Sequence, residues 1–173
     1  MLKIHSGIYK GQTIKRVHVN TTKETASMVR EAVFNSLFKI EGNVLDLFAG
    51  SGSYGITALS LGAHESFFVD NNIKAYKTIK DNLSKLKINA KVYNKDYQDF
   101  LKSNKIKFDY IFLDPPYSFN QYEELLTILL EHLNINGKVI LEVDKKTSVA
   151  ENEKYIILKE KNYGSKKVII YSC

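Results

Sequence analysis

The chain predicts an α/β protein: a mostly parallel, seven-stranded sheet with helices on both faces, closed by an antiparallel hairpin. Three observations carry that expectation. Apolar runs of strand length alternate with helix-period segments between residues 44 and 143. Acids stand at or near the ends of three of those runs (Asp46, Asp70 and Asp114), where open parallel sheets hold their ligands. The last two strand-like segments are joined by Asn162-Tyr163-Gly164-Ser165, a turn sequence.

Ile4 leads into Gly7-Ile8-Tyr9-Lys10-Gly11, and Thr13–Val19 alternates apolar with polar residues. Residues 1–24 therefore read as two short strands around a turn, a basic β-hairpin extension ahead of a domain at 25–173. A helix is expected over 26–38, with Val29, Val33 and Leu37 on one stripe and Phe34 and Phe38 beside it. Strand Val44–Phe48 precedes helix 54–61, strand Ser66–Asp70 precedes helix 73–86, and strand 91–93 precedes a short helix at 97–102. Strand Tyr110–Leu113, helix 122–132 and strand Lys138–Val143 complete the alternation, and final strands follow at 154–160 and 166–172.

With 173 residues, 44% hydrophobic and 25% charged, the chain suits one soluble globular domain. It shows no apolar stretch of membrane-spanning length and no signal-peptide pattern, so a cytosolic protein is expected. Asn20-Thr21-Thr22 and Asn82-Leu83-Ser84 then match the glycosylation pattern only by chance. The one cysteine, Cys173, excludes a disulfide framework and a cysteine-based metal site, and no metal is expected. Net charge is +6. Five of those six charges fall in residues 1–30, where Lys3, Lys10, Lys15, Arg16, Lys23 and Arg30 meet only Glu24. A basic segment on a near-neutral body points to a polyanion, most simply nucleic acid.

Gly50-Ser51-Gly52-Ser53-Tyr54-Gly55 fits the Gly-rich turn between a strand and a helix. A pyrophosphate ligand is disfavoured by Asp46, whose carboxylate just before the loop would repel it. An acid there suits a cation, such as the ammonium end of S-adenosylmethionine. Phe48, Ala49, Gly50, Ser51 and Gly52 would form the cradle, glycine letting the chain bend beneath the ligand. Asp70, followed by Asn71, ends the next strand and is placed to accept ribose hydroxyls. Asp96 would accept from the adenine amino group, with Tyr97 alongside. Each acid also has a plainer role: bracing or capping for Asp46, turn chemistry for Asp70 and Asp96.

Asp114-Pro115-Pro116-Tyr117 closes the apolar run Tyr110–Leu113. An exocyclic base amine is a poor nucleophile because its lone pair is delocalised into the ring. Hydrogen bonds from its N–H groups to Asp114 and to the Pro115 carbonyl would localise that lone pair and stabilise the charge developing in transfer. Pro115 and Pro116 restrict the backbone so that the carbonyl can be held facing the substrate. Tyr117 offers a stacking face worth about 1–3 kcal/mol per base. The two motifs together read as a methyltransferase for an exocyclic base nitrogen, acting on single-stranded or extruded substrate.

The chain resembles the bacterial 16S ribosomal RNA (guanine-N2)-methyltransferase family over essentially its whole length. The likeness rests on Gly7–Gly11, on Val29-Arg30-Glu31-Ala32-Val33-Phe34-Asn35, on Val44–Gly55 and on Phe108–Tyr117. It implies a Rossmann-like class I methyltransferase with an N-terminal hairpin and S-adenosylmethionine as cofactor. The implied substrate is a guanine N2 amine of 16S rRNA within the small ribosomal subunit or an assembly intermediate, and a monomer is expected. Lys10, Lys15, Arg16 and Lys23 become the expected RNA contacts. Two segments depart from the family pattern: Thr22-Lys23-Glu24-Thr25 replaces the usual Thr-Arg-Pro-Thr, and Tyr163-Gly164-Ser165-Lys166 replaces Tyr-Gly-Asp-Thr. No role is assigned at the second. An adenine-N6 methyltransferase on DNA or RNA, and a non-catalytic rRNA-binding assembly factor, are the alternatives.

Overall fold

The computed structural model describes residues 1–17, 23–149 and 152–173, with the backbone alone for 23–26. Its central strands sort their side chains by parity. From β3 (Asn43–Leu47), β4 (Glu65–Val69) and β6 (Phe108–Leu113), the residues Leu45, Leu47, Phe67, Val69, Ile111 and Leu113 face one way. They pack against α4 (Tyr97–Ser103) and α5 (Tyr122–Leu129). Val44, Phe68 and Phe112 face the other way, toward α1 (Lys23–Leu37), α2 (Ser53–Ser60) and α3 (Ile73–Lys85). Both faces are covered, which is why these strands are apolar almost throughout.

With β5 (Lys91–Tyr93), β7 (Leu133–Asp144), β8 (Ile156–Tyr163) and β9 (Lys166–Ser172), the sheet runs β5-β4-β3-β6-β7-β9-β8. β3 through β7 pair in parallel, while β9 is antiparallel to both β7 and β8. The chain moves outward from β3 to β5 and then returns to lay β6 on the other side of β3. That reversal is the switch point, and the register Leu47↔Leu113 brings Asp46 and Asp114 to the same end of adjacent strands.

A separate two-stranded sheet pairs β1 (Leu2–Lys3) with β2 (Thr13–Ile14). Leu2, Ile4 and Ile14 are buried with Phe68, Ile79 and Leu83, so the hairpin sits on α3 and β4. The second strand stops at Ile14 instead of continuing toward Val19, and the reason is local. The buried Asn82 side chain accepts from Lys15 N (2.7 Å) and donates to Lys15 O (3.0 Å), taking both backbone groups that a ladder would use. Asn82 is fully buried and unavailable for glycosylation; Val19 and Asn20 lie outside the described residues. β7 begins earlier than the sequence suggests, at Leu133. Its first part is irregular, with Asn136 at φ 62°, and regular pairing with β6 resumes at Lys138. Among the described residues, no helix is long and apolar enough to cross a membrane.

Candidate active site

The loop after β3 turns sharply. Phe48, Gly50 and Gly52 all have positive φ, at 64°, 54° and 77°. Such a conformation at a phenylalanine costs on the order of 1–3 kcal/mol. Ring contacts hold it there, with Phe48 lying 5.2 Å from Tyr97 and 5.4 Å from Phe119 between ring centroids. A Cβ on Gly50 would meet no atom within 4 Å, so the loop leaves open space above itself. Gly55 is glycine for another reason: a Cβ there would lie 2.4 Å from the Phe68 ring, so its absence lets α2 pack closely on β4.

Asp46 is buried, and its Oδ2 accepts from Gly55 N at 2.8 Å, the bracing role. Burial pushes its carboxyl up to about 8, against the Gly55 N–H; the charges of Asp114 and Asp70 add to the push. Asp70 Oδ2 accepts from Gly50 N and its Oδ1 from Asn72 N, both at 2.8 Å. It therefore ties the end of β4 to the glycine loop and shapes its own turn. Each carboxylate oxygen has two lone pairs, so capacity for hydroxyl donors remains. Asn71 is exposed beside it. Asp96 caps α4 by accepting from Gln98 N at 2.8 Å. Tyr97 is buried, and its hydroxyl donates to Gln121 Oε1 at 3.1 Å, just ahead of α5. The predicted cofactor residues thus line the tips of β3, β4 and β5 in order, and Phe119 joins them to the loop after β6.

Asp114 follows β6 directly, Pro115 is buried, and Tyr117 is 87% exposed, its ring free to receive a partner. Pro116 O accepts from Phe119 N at 2.8 Å, closing the turn. What the motifs did not reveal stands on the neighbouring strands. Glu142 on β7 is 5% exposed, and its Oε2 accepts from the Tyr54 hydroxyl at 2.6 Å. Tyr54 itself stacks on Phe112 at 5.1 Å, and burial together with Glu142 raises its hydroxyl well above the usual range. Lys166 Nζ, at the start of β9, lies 3.3 Å from Glu142 Oε1 and 3.6 Å from Asp114 Oδ1. Burial and then Glu142 push the Asp114 carboxyl up, while Lys166 pulls it back. Its side chain is 44% exposed, so water moderates that push until a ligand covers the site. For Lys166, burial opposes the charge, but Asp114 and Glu142 outweigh it and raise its pKa. One signal was available: Glu142 interrupts the apolar run Val139-Ile140-Leu141 at an inward position of a central strand.

The predicted RNA contacts belong to the N-terminal segment. Lys10 is exposed at the hairpin tip, and Lys15 pairs with Asp81 at 2.8 Å on the surface of α3. Arg16 is half-buried, and the Lys23 side chain lies outside the described residues. Arg30 is buried and braces α1 to the hairpin through Lys3 O at 3.0 Å. A cleft of about 280 Å³ lies over Arg30, Phe34 and Thr57, and one of about 600 Å³ lies between α1 and β8. Neither is lined by the strand-tip acids.

A family model described as "Conserved hypothetical protein 95" matches residues 2–172. The chain is 36% identical to YlbH of Bacillus subtilis, provisionally named an rRNA methyltransferase, over 98% of each chain. It is 34% identical to "Ribosomal RNA small subunit methyltransferase D" of Haemophilus influenzae, over 94% of this chain and 89% of that one. Among solved structures it superposes on yhhF of Escherichia coli, provisionally named a methyltransferase. The TM-score is 0.86 at 26% identity, over 99% of this chain and 97% of that one.

Proposed function

From the premise that the chain belongs to the Conserved hypothetical protein 95 family, we propose that it is an S-adenosylmethionine-dependent rRNA methyltransferase, specific for the exocyclic N2 amine of a guanine in 16S rRNA. The observation carrying this reading is the pairing of two half-sites at one switch point. A glycine loop with Asp46 and Asp70 stands beside Asp114-Pro115-Pro116-Tyr117. Relatives named for rRNA methylation support the reaction class. Asp114, Tyr117 and the basic hairpin support the amine and the RNA.

The residues present fit the cofactor. The open space over Gly50 accepts a ligand, and mutual repulsion among Asp46, Asp70 and Asp114 favours a cationic one. S-adenosylmethionine, when bound, supplies a methyl group activated by its sulfonium. Asp46 provides negative charge for its ammonium end, Asp70 accepts from the ribose, and Phe48 and Tyr97 wall the adenine side with Asp96. Phe48–Gly52 and Asn71 complete the cradle. Asp114 and the Pro115 carbonyl accept from the amine, directing its lone pair outward, and Tyr117 stacks on the base. Residues 1–24 act as an RNA-contacting extension through Lys10, Lys15, Arg16 and Lys23, and residues 25–173 as the catalytic domain. The protein works as a monomer in the cytosol on the small subunit or an assembly intermediate.

The test is transfer of labelled methyl from S-adenosylmethionine to small subunits lacking the endogenous modification, followed by nucleoside analysis. N2-methylguanosine on the subunits is expected, above the level on naked rRNA. N6-methyladenosine, or no label despite tight cofactor binding, would overturn the reading.

A further inference from the structure

We propose that Lys166 is a positioning residue for methyl transfer: its ammonium group, seated between Asp114 and Glu142, keeps the Asp114 carboxylate ionised and aimed at the amine. The inference rests on the function proposed above.

Strand register brings the two carboxylates together. Leu113 pairs with Leu141, so one residue further on Asp114 and Glu142 come abreast on neighbouring strands. Two carboxylates so placed repel, and one of them tends to take up a proton. A protonated Asp114 would lose its negative charge and part of the acceptor capacity that the amine needs. Glu142 has little freedom to withdraw, being 5% exposed and held by the Tyr54 hydroxyl at 2.6 Å. Lys166 resolves the conflict by lying within 3.3 Å of Glu142 Oε1 and 3.6 Å of Asp114 Oδ1. It is placed to do so because Asp144 pairs with Lys166 across β7 and β9, two residues past Glu142 and so on the same face of the sheet.

The other ionisable groups around Asp114 do not supply this service. Asp46 on β3 is negative when charged and adds repulsion. Tyr54 on α2 and Tyr122 on α5 stay neutral, their hydroxyls raised chiefly by burial. Arg30 on α1 is buried and donates to Lys3 O and Ser27 Oγ, its charge acting on Tyr54 and Glu142. Among these groups, Lys166 alone is a cation paired directly with Asp114.

The test combines kinetics with a readout that needs no RNA. In Lys166→Gln, single-turnover methyl transfer should fall at least about tenfold at pH 7, and its acid limb should move to higher pH by about one unit. The Kd for S-adenosylmethionine should stay within about twofold. Lys166→Arg should recover most of the rate. Glu142→Gln, which still accepts from Tyr54, should move the limb to lower pH, and the double variant should return it close to the wild-type position. Carbon-13 NMR of labelled Asp114 in the RNA-free protein should show the same ordering of carboxyl titration. If the NMR titration of Asp114 is unmoved by Lys166→Gln, or the double variant fails to compensate, the proposal falls. If wild-type protein methylates no RNA, the proposed function fails while the NMR series still judges Lys166.

Discussion

The two halves of the strand-tip site are held in different ways. In the half proposed for the cofactor, the acids are fastened to backbone N–H groups: Asp46 to Gly55, Asp70 to Gly50 and Asn72, Asp96 to Gln98. In the half proposed for methyl transfer, Asp114 is held by charge, through Lys166 and the buried Glu142. Backbone fastening fixes shape whatever the pH, whereas a charge-held carboxylate depends on its neighbours' protonation. The cofactor half is therefore a rigid receptacle and the transfer half an electrostatically tuned one, so damage to each should show separately.

The largest effect is expected at Asp114. Asp114→Ala should lower kcat by at least about 10²-fold, the scale on which losing one preorganised electrostatic partner is felt. Cofactor affinity measured by calorimetry should be nearly unchanged. Next is Asp46→Asn, which keeps an oxygen for the Gly55 N–H and loses the charge. Charge-assisted contacts are worth about 1.5–3 kcal/mol, so the cofactor Kd should rise about 10- to 100-fold.

Asp46 also makes a pH prediction. Its carboxyl is raised in the folded protein to about 8 from an ordinary 3.8, so the fold binds that proton more tightly than the unfolded chain does. Its contribution to stability is intact below pH 3.8, is lost progressively as pH rises toward 8, and is gone above it. Thermal melts of the cofactor-free protein should therefore show a decline with pH over that window that Asp46→Asn lacks. Cofactor affinity should rise over the same window as the carboxyl ionises.

The α/β alternation was legible because each strand is apolar throughout and bounded by turn residues, as Val44–Phe48 and Tyr110–Leu113 show. Asp46, Asp70 and Asp114 were legible for the same reason, since each stands at or near the end of such a run. The end of the second hairpin strand was not, because the side chain that replaces its ladder, Asn82, lies 67 residues away. The Lys166–Glu142 pair was hidden likewise: Glu142 stands out as an acid in an apolar run, but its partner is fixed only when β9 folds back beside β7.

Asn82 supplies a smaller prediction that sharpens the contrast. It donates to Ser51 O at 2.9 Å as well as to Lys15 O, fastening the hairpin to the glycine loop. Asn82→Ala should cost about 0.5–1.5 kcal/mol for each hydrogen bond lost to the part-buried backbone groups of Lys15 and Ser51. The midpoint of chemical denaturation should fall, with cofactor binding weakened more than the rate at saturation. The smallest effect is expected at Lys15, whose exposed pair with Asp81 is worth about 0–1 kcal/mol. Lys15→Ala should barely change stability, but it should reduce the salt dependence of RNA binding by roughly one phosphate contact.

The separation of the two halves is tested most directly by measuring S-adenosylmethionine binding and single-turnover methyl transfer side by side in Asp46→Asn and Asp114→Asn. Opposite outcomes are expected: Asp46→Asn binds poorly yet transfers once the cofactor is saturating, and Asp114→Asn binds normally and does not transfer. Loss of both properties in Asp114→Asn would contradict that separation, because Asp114 would then belong to the cofactor receptacle.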